Sequence, residues 1–309
     1  MKLRFVCQAL IACLLTTVAY ADHHGEKIQV MLLTGQNNHG WEALSARLEE
    51  ILDEAGMFET DVVVSPKLGE DMSGFKPDFE SYDVIVLEYN GDVWPRETEL
   101  AFERYMENGG GLVFTHAVNH TFKDWKAFNL MMGIGGWGGR FQESGPFVHW
   151  RDGKIYLDDS PGQAGACVDA HAFEVVTREP DHPIMKGIPP VWLHGKDELY
   201  SNQRGPAENF TILATAYSDP KHEAHWGPMT HGTGEHEPMI FTTTYGKGRT
   251  FGTPMGHVDN GAKVGAPAPA MDCEGFITIV QRGTEWAATG KVTQKVPKSF
   301  PGKDKVNLR

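Results

Sequence analysis

The amino-acid sequence predicts an α/β fold, a doubly wound and mainly parallel sheet that continues into a β-rich excursion and a C-terminal hairpin and helix. Short apolar runs that are typical of buried strands lie at residues 27–33, 60–65, 82–90 and 111–116. Between these runs, apolar residues recur at helical spacing over residues 41–55 and 96–107. Apolar strands that alternate with amphipathic helices are typical of a parallel sheet covered on both faces.

The second half of the chain departs from this alternation. Residues 125–133 predict one more helix, whereas residues 145–235 mix short apolar runs with long loops and form the β-rich excursion. Residues 239–257 predict a hairpin that turns at a Gly-Lys-Gly-Arg sequence. The apolar spacing from Phe276 to Ala287 predicts a final helix that packs on the sheet.

The N-terminus has the three parts of a secretory signal peptide. Two basic residues precede the largely apolar residues 5–19, and Ala19 and Ala21 have the spacing of a cleavage site ahead of Asp22. We therefore expect an exported chain, periplasmic or secreted; a lipoprotein acylated at Cys13 is the alternative. The apolar stretch is too short to span a bilayer, so we expect no membrane span. The expected division is a signal peptide at 1–21, one domain at 22–290 and an extended basic tail at 291–309.

Charge and cysteine content restrict the partners. The formal net charge is -13, and loss of Lys2 and Arg4 with the signal peptide makes it -15 (-13 - 2). Such an acidic chain is not expected to bind nucleic acid, which requires clustered Lys and Arg. Cys167 and Cys273 remain after cleavage, and we expect two free buried thiols, although export would permit a disulfide. The composition leaves a homo-oligomer open.

Three histidines follow apolar runs at the points where strands are expected to end. His39 follows the first run, His116 ends the fourth, and His257 ends the C-terminal hairpin. Ligands of doubly wound sheets bind beyond the carboxyl ends of the strands, so we expect these histidines to meet in one crevice. The alternative for each is a structural role, because a strand-end histidine can simply bind a neighbouring backbone group.

An acidic pair, Asp197 and Glu198, lies in the segment 193–200. Because side chains alternate along an extended segment, one of the two faces the crevice, and we choose Glu198; a solvated acidic turn is the alternative. Histidines with a carboxylate can bind a divalent transition metal, with zinc as the first candidate. The predicted metal ligands are His39, His116, Glu198 and His257. The same groups can act without a metal as acids and bases, and the predicted catalytic residues are His116, His257, Glu198 and Asp197.

Aromatic and polar side chains near the strand ends suit a sugar, whose ring has apolar faces and hydroxyl edges. The predicted carbohydrate-binding residues are Asn90, Asn119, His120, Trp125, Trp137, Arg140 and Tyr200. Core packing is the alternative for the tryptophans. The sequence has neither a G-x-x-x-x-G-K-[ST] loop nor a G-x-S-x-G elbow, so we expect no nucleotide cofactor.

At this point the sequence resembles the ThuA-like family, named for trehalose utilisation. The resemblance rests on "GGGLVFTHA" at 109–117, "DW" at 124–125, "HPIMKGIP" at 182–189, "DELY" at 197–200, "YGKGRTFGTPMGH" at 245–257 and "RGTEWAATG" at 282–290. It implies a variant of the class I glutamine amidotransferase fold, which is flavodoxin-like, and action on sugars. Amidotransferases carry a cysteine at the strand-end elbow where this chain has His116, so their chemistry is not transferred. The resemblance also matches the four predicted metal ligands to metal-binding positions of some relatives.

Our leading hypothesis is an exported enzyme of carbohydrate catabolism that acts on a keto-sugar or glycoside, such as a trehalose-like disaccharide. A ketone acidifies the neighbouring C–H, so a base can start elimination or isomerisation; hydrolysis fits the same residues. The alternative is a non-catalytic carbohydrate-binding module on an enzyme-derived fold. A metal-binding protein without sugar specificity is the third hypothesis.

Overall fold

The computed structural model describes residues 27–309, so the predicted signal peptide at 1–21 lies outside the described residues. The helices are α1 (Trp41–Glu54), α2 (Arg96–Asn108), α3 (Lys126–Met132) and α4 (Glu274–Thr289). The strands are β1 (Ile28–Thr34), β2 (Phe58–Val64), β3 (Val84–Leu87), β4 (Gly111–Thr115), β5 (Phe147–Arg151), β6 (Lys154–Asp158), β7 (Ala166–His171), β8 (Glu174–Thr177), β9 (Val191–Leu193), β10 (Asp197–Ser201), β11 (Thr211–Tyr217), β12 (Ala224–His225), β13 (His236–Tyr245) and β14 (Gly248–Thr253).

The main sheet of the described residues has eleven strands and mixed direction. Nine of them follow the order β2-β1-β3-β4-β14-β13-β11-β8-β9, and β5 and β6 extend from β13. The pairings from β2 to β14 are parallel, and all the others in this sheet are antiparallel.

The prediction of a doubly wound, mainly parallel sheet is therefore wrong. A parallel pair needs a crossover, usually helical, whereas antiparallel strands need only a tight turn. The described residues contain only four α-helices, and the chain between α3 and α4 uses hairpins and loops instead. The predicted C-terminal hairpin is present as β13 and β14, and β14 lies parallel to β4.

The parallel strands lie between two separate apolar cores. In β1, Val30 and Leu32 belong to a core shared with α1 and α4, whereas Met31 and Leu33 belong to a core shared with α2 and α3. Successive strand side chains point to opposite faces, so a continuous apolar run fills both cores. This burial fixes the strand ends from which the polar residues project.

A second, three-stranded sheet has the order β10-β7-β12, and its pairings are antiparallel. Tyr200 pairs with Cys167, and the register shifts between Asp197 and Leu199. Glu198 lies at this irregularity, and a bulge of this kind re-aims a side chain. Cys167 and Cys273 are both buried and free, which confirms the expectation of two thiols.

The C-terminal residues 291–309 lie against α4. Phe300 is buried, and Arg309 pairs with Glu274 at the start of that helix. No helix within residues 27–309 has the length and apolar character needed to cross a lipid bilayer.

Candidate metal centre

Three of the four predicted metal ligands lie beyond the carboxyl ends of parallel strands. His39 follows β1, His116 directly follows β4, and His257 follows β14. These strands lie within the order β1-β3-β4-β14, so their ends share one edge of the sheet. Glu198 comes from β10 of the second sheet. The structure brings the four side chains into one group, with their ligand atoms all within 4.8 Å of one another.

His116 adopts an unusual backbone conformation at the end of β4. Its φ is +38°, whereas the preceding Thr115 is extended at φ -125°. A non-glycine residue at positive φ costs roughly 1–3 kcal/mol, and such strain clusters at functional sites. The abrupt turn ends the strand and places a fully buried imidazole between His39 and His257.

The carboxylate of Glu198 lies between two of the imidazoles. Its Oε2 is 3.8 Å from Nε2 of His116, and its Oε1 is 3.8 Å from Nε2 of His257. The ring of His39 lies 4.8 Å from that of His116 and 5.1 Å from that of His257, centroid to centroid. The distances of 3.8 Å are too long for direct hydrogen bonds.

The hydrogen bonds of His116 determine which ring nitrogen carries the proton. Nδ1 lies 2.9 Å from the carbonyl oxygen of Pro254, which can only accept, so Nδ1 carries the hydrogen. Nε2 is therefore an acceptor and receives a 2.8 Å hydrogen bond from the hydroxyl of Tyr200. The same Nε2 lies 3.8 Å from Oε2 of Glu198, at the edge of the four-residue group.

His39 is oriented in the same way through a chain of polar groups that runs from the half-buried Asn37 to the buried Glu88. Its Nδ1 lies 3.2 Å from Oδ1 of Asn37, whose amide nitrogen donates to Glu88 over 2.6 Å. Thr115 donates to the other oxygen of Glu88. The amide oxygen of Asn37 therefore accepts from His39, and Nε2 of His39 is left unprotonated. Histidines that bind metals commonly donate their other N–H to such a group, which fixes the ring orientation.

The electrostatic environment keeps His39 and His116 neutral near pH 7. Burial and the neighbouring His257 lower the pKa of His39 to about 4. Burial, with the nearby His39 and His257, lowers the pKa of His116 well below its usual value. Burial also raises the pKa of Glu198. Neutral imidazoles are the form that binds a cation, and a cation would offset the burial of the Glu198 carboxylate.

The donor set suits a divalent transition metal, because it combines three imidazoles with one carboxylate. Atoms bound about 2.1 Å from one ion lie at most ~4.2 Å apart, so a group that lies within 4.8 Å needs only a small contraction. The hydroxyl of Tyr200 would have to release Nε2 of His116, since that nitrogen has a single lone pair. The residues therefore fit such an ion.

Asp197 does not face this group. Its oxygens accept the backbone N–H groups of Gly256, His257 and Glu198, and its Oδ2 lies 2.8 Å from Nε2 of His194. Both Asp197 and His194 are buried. The carboxylate thus joins the backbone of two predicted ligands, Glu198 in β10 and His257 in the loop after β14. Both of its oxygens are occupied, so none is free to support the predicted role in moving a proton.

The predicted carbohydrate-binding residues divide into three groups. Asn90, His120 and Trp125 line a cavity of about 510 Å³ beside the histidines. Tyr200 touches His116, and Trp137 lies 4.6 Å from Tyr200 between ring centroids. Asn119 and Arg140 are buried and bonded elsewhere: Asn119 donates to Gln203, and Arg140 donates to backbone oxygens that include those of His120 and Thr121.

Sequence reasoning did not assign roles to Asn37 and Glu88, which orient His39. A signal was present, because Glu88 directly follows the apolar run of β3. Glu88 is completely buried, and this burial raises its pKa to about 8. A buried carboxyl group that two polar side chains bind indicates an organised site.

The chain is similar to proteins of known structure and to a known family. The chain is similar to a ThuA-like protein from Parabacteroides merdae whose crystal structure is known. The two sequences are 46% identical, the structures superpose with a TM-score of 0.86, and the match covers 92% of this chain and 98% of the other. A ThuA-like protein from Bacteroides uniformis has 19% identity and a TM-score of 0.53, with coverage of 92% and 98%, and shares the fold. A search of curated proteins found no match. The model of the ThuA family, described as "Trehalose utilisation", matches residues 29–287, and the chain belongs to this family, which suggests a role in carbohydrate metabolism.

Proposed function

We propose that the chain is a metal-dependent enzyme of carbohydrate metabolism that acts on a keto-sugar or a glycoside. The observation that carries this proposal is the group of His39, His116, Glu198 and His257, whose ligand atoms lie within 4.8 Å of one another. His39 and His116 each donate the N–H of Nδ1 to a fixed oxygen, so Nε2 of each ring carries the lone pair that can bind a cation once Tyr200 releases that of His116. Membership in a family described by trehalose utilisation supports a sugar as the substrate.

The four residues would hold the cation, and zinc is our first candidate. When bound, such a cation would supply Lewis-acid chemistry toward a carbonyl or a water.

His120 moves the proton in this proposal. Burial lowers its pKa to about 3, so the imidazole is neutral near pH 7. Its Nε2 has no hydrogen-bond partner among the described residues, and the side chain lines the cavity beside the histidines. Asp197 is a weaker choice, because backbone N–H groups and His194 occupy its oxygens.

Elemental analysis of the purified mature protein tests the metal assignment. We expect one equivalent of zinc, manganese or nickel in the wild type and none in His116→Ala. An exposed group of Asp169, Glu223 and His225 is the other candidate among the described residues, so Asp169→Asn is the matched control and should retain the metal. Absence of metal from the wild type after incubation with these salts, or its retention in His116→Ala, would contradict the assignment.

We infer that the chain is exported after cleavage of residues 1–21. The basic N-terminus, the apolar residues 5–19 and the small residues Ala19 and Ala21 support this proposal. Expression of the full chain in a bacterial host, followed by N-terminal sequencing of the exported product, should give Asp22 as the first residue. Recovery only of the uncleaved chain in the cytosol would overturn it.

A further inference from the structure

A second cavity, of about 670 Å³, lies between residues 181–187 and the start of the C-terminal tail at residues 290–296. Its walls include parts of the sequences "HPIMKGIP" at 182–189 and "RGTEWAATG" at 282–290, neither of which contributes a residue to the metal centre. We propose that this cavity is a binding site for a small phosphorylated molecule, whose phosphate monoester it holds as a dianion. The site adds to the proposed function and does not depend on it.

The cavity lies at the opposite edge of the main sheet from the metal centre. Gly290, which ends α4, lines the cavity. A Cβ atom on Gly111, the first residue of β4, would lie 2.8 Å from the backbone of Ala287, which shortly precedes Gly290. His116 follows the last residue of β4, and the five residues of this strand span roughly 16 Å. The two sites are therefore separate.

The cavity is positively charged, although the chain as a whole has a formal net charge of -13. Its lining has four cationic side chains and one anionic side chain, so the formal sum is +3 (4 - 1). These side chains are those of Lys186, Arg282, Lys291, Lys295 and Asp181. None of the three lysines has a carboxylate partner among residues 27–309. Their ammonium groups are thus available for charge-assisted hydrogen bonds to a phosphate.

Arg282 joins the two walls of the cavity and carries a buried charge. Its guanidinium donates to the carbonyl oxygens of Pro183, Ile184 and Lys186 in one wall and to that of Gln294 in the other. Arg282 is only 3% exposed, and this burial lowers its pKa. Carbonyl oxygens satisfy its N–H groups without neutralising the charge. A dianion in the adjoining cavity would offset the cost of burying this cation.

The tail is fixed on α4 by a second buried group. Glu285 accepts hydrogen bonds from the backbone N–H groups of Thr293 and Gln294 and from the hydroxyl of Thr293. With this carboxylate included, the local formal charge is still +2 (3 - 1). Lys291 and Lys295 flank the anchored residues, so they extend from a backbone that is ordered before a ligand arrives. Such order reduces the entropy that binding costs.

The size of the cavity favours a phosphorylated molecule over a free phosphate ion. A volume of about 670 Å³ falls within the ~300–1,000 Å³ that is typical of small-molecule sites. A phosphate group would occupy only part of this space. The half-buried side chains of Val292 and Val296 also line the cavity and offer apolar surface to the rest of the molecule.

Titration calorimetry of the purified protein with phenyl phosphate and with phenyl sulfate tests the ligand class. The two esters have nearly the same shape, but at about pH 8 the phosphate is a dianion, since its second pKa is about 6, whereas the sulfate is a monoanion. We expect the wild type to bind phenyl phosphate more tightly. Equal or tighter binding of phenyl sulfate, or no binding of phenyl phosphate, would overturn the proposal.

A pair of double variants tests whether binding occurs in this cavity. Lys291→Gln with Lys295→Gln removes two of the unpaired ammonium groups and should weaken binding of phenyl phosphate by about tenfold or more. Lys298→Gln with Lys305→Gln is the matched control, because these exposed lysines of the same tail lie outside the cavity and the change in net charge is equal. Binding at the metal centre would be the same in both double variants, so equal affinities would contradict the site.

A further variant is expected to gain affinity, which a damaged fold could not produce. Asp181→Asn removes the single carboxylate of the cavity lining and should tighten binding of phenyl phosphate by about two- to fivefold. Asp304→Asn is the control, since Asp304 is equally exposed but lies in the tail outside the cavity. Its affinity should equal that of the wild type. An equal gain in both variants would show that the phosphate responds to net charge alone and would overturn the site.

Discussion

The hydroxyl of Tyr200 donates a 2.8 Å hydrogen bond to Nε2 of His116, the same nitrogen that faces Glu198 and His257. Nδ1 of His116 is committed to the carbonyl of Pro254, so the ring has one acceptor, and only one group can use it at a time. Tyr200 therefore competes with any cation for His116.

This competition predicts that Tyr200→Phe binds metal more tightly than the wild type. A hydrogen bond of this kind contributes about 0.5–1.5 kcal/mol, so its loss should raise the affinity by roughly twofold to tenfold. Competition with a chelating dye measures the change for zinc. Tyr217→Phe, on the exposed end of β11, is the control and should leave the affinity unchanged. Equal or weaker binding by Tyr200→Phe would contradict the competition.

The positive φ of His116 predicts an order of stability between two variants of that residue. Both His116→Gly and His116→Ala remove the imidazole, but only glycine adopts φ near +38° without strain. We expect His116→Gly to be more stable to denaturant by about 1 kcal/mol. Within a regular strand or helix, a glycine variant is normally less stable than the alanine variant. If His116→Ala proves more stable than His116→Gly, the backbone at this turn has relaxed away from positive φ.

The part of the site that could be predicted from the sequence is the part that lies at the ends of strands. His39, His116 and His257 each follow an apolar run, and a run buried on both faces leaves little freedom in where its last residue lies. The alternation of an extended segment predicts that only one of Asp197 and Glu198 faces the crevice, and Glu198 lies at an irregularity of β10 close to the histidines. The grouping thus followed from local pattern and from the direction of the strands.

The remainder depended on contacts that local pattern does not encode. The antiparallel half of the main sheet pairs strands far apart in sequence, such as β8 with β11, and short apolar runs do not specify their partners. Arg140 has the composition of a ligand-binding residue, yet it is buried and donates to the loop carbonyls of His120 and Thr121. Asp197 similarly accepts from backbone N–H groups of β10 and of the loop after β14.

The link from Asn37 to His39 predicts a loss of metal affinity when the amide is removed. Asn37→Ala deletes the acceptor for Nδ1 of His39 and leaves Glu88 without one donor. Losses of about 10–100-fold are typical when a group that orients a metal ligand is removed. The adjacent Asn38→Ala is the matched control, because Asn38 accepts from Asn90 instead of contacting His39. Equal affinities for the two variants would show that Asn37 does not orient the ligand.

The buried pair of His194 and Asp197 predicts a pH dependence of folding stability. Burial alone would lower the pKa of His194, but the 2.8 Å hydrogen bond to Asp197 outweighs it and raises that pKa to about 9. The folded state therefore holds a proton that the unfolded state loses near its pKa of about 6.5. The stabilisation is complete below pH ~6.5 and is lost as the pH rises through about 9.

His194→Gln isolates this contribution, because glutamine keeps an amide donor for Asp197 but cannot bind the proton. The wild type should lose about 3 kcal/mol of unfolding free energy between pH 6.5 and 9 relative to this variant, at 1.36 kcal/mol per pKa unit. Burial raises the pKa of Glu88 to about 8, so Glu88 also releases a proton in this pH range. The quantity to measure is therefore the difference in unfolding free energy between the wild type and His194→Gln. Urea unfolding curves at several pH values give it directly. Parallel curves for the two proteins would show that His194 binds no additional proton in the folded state, so that it donates to Asp197 as a neutral imidazole.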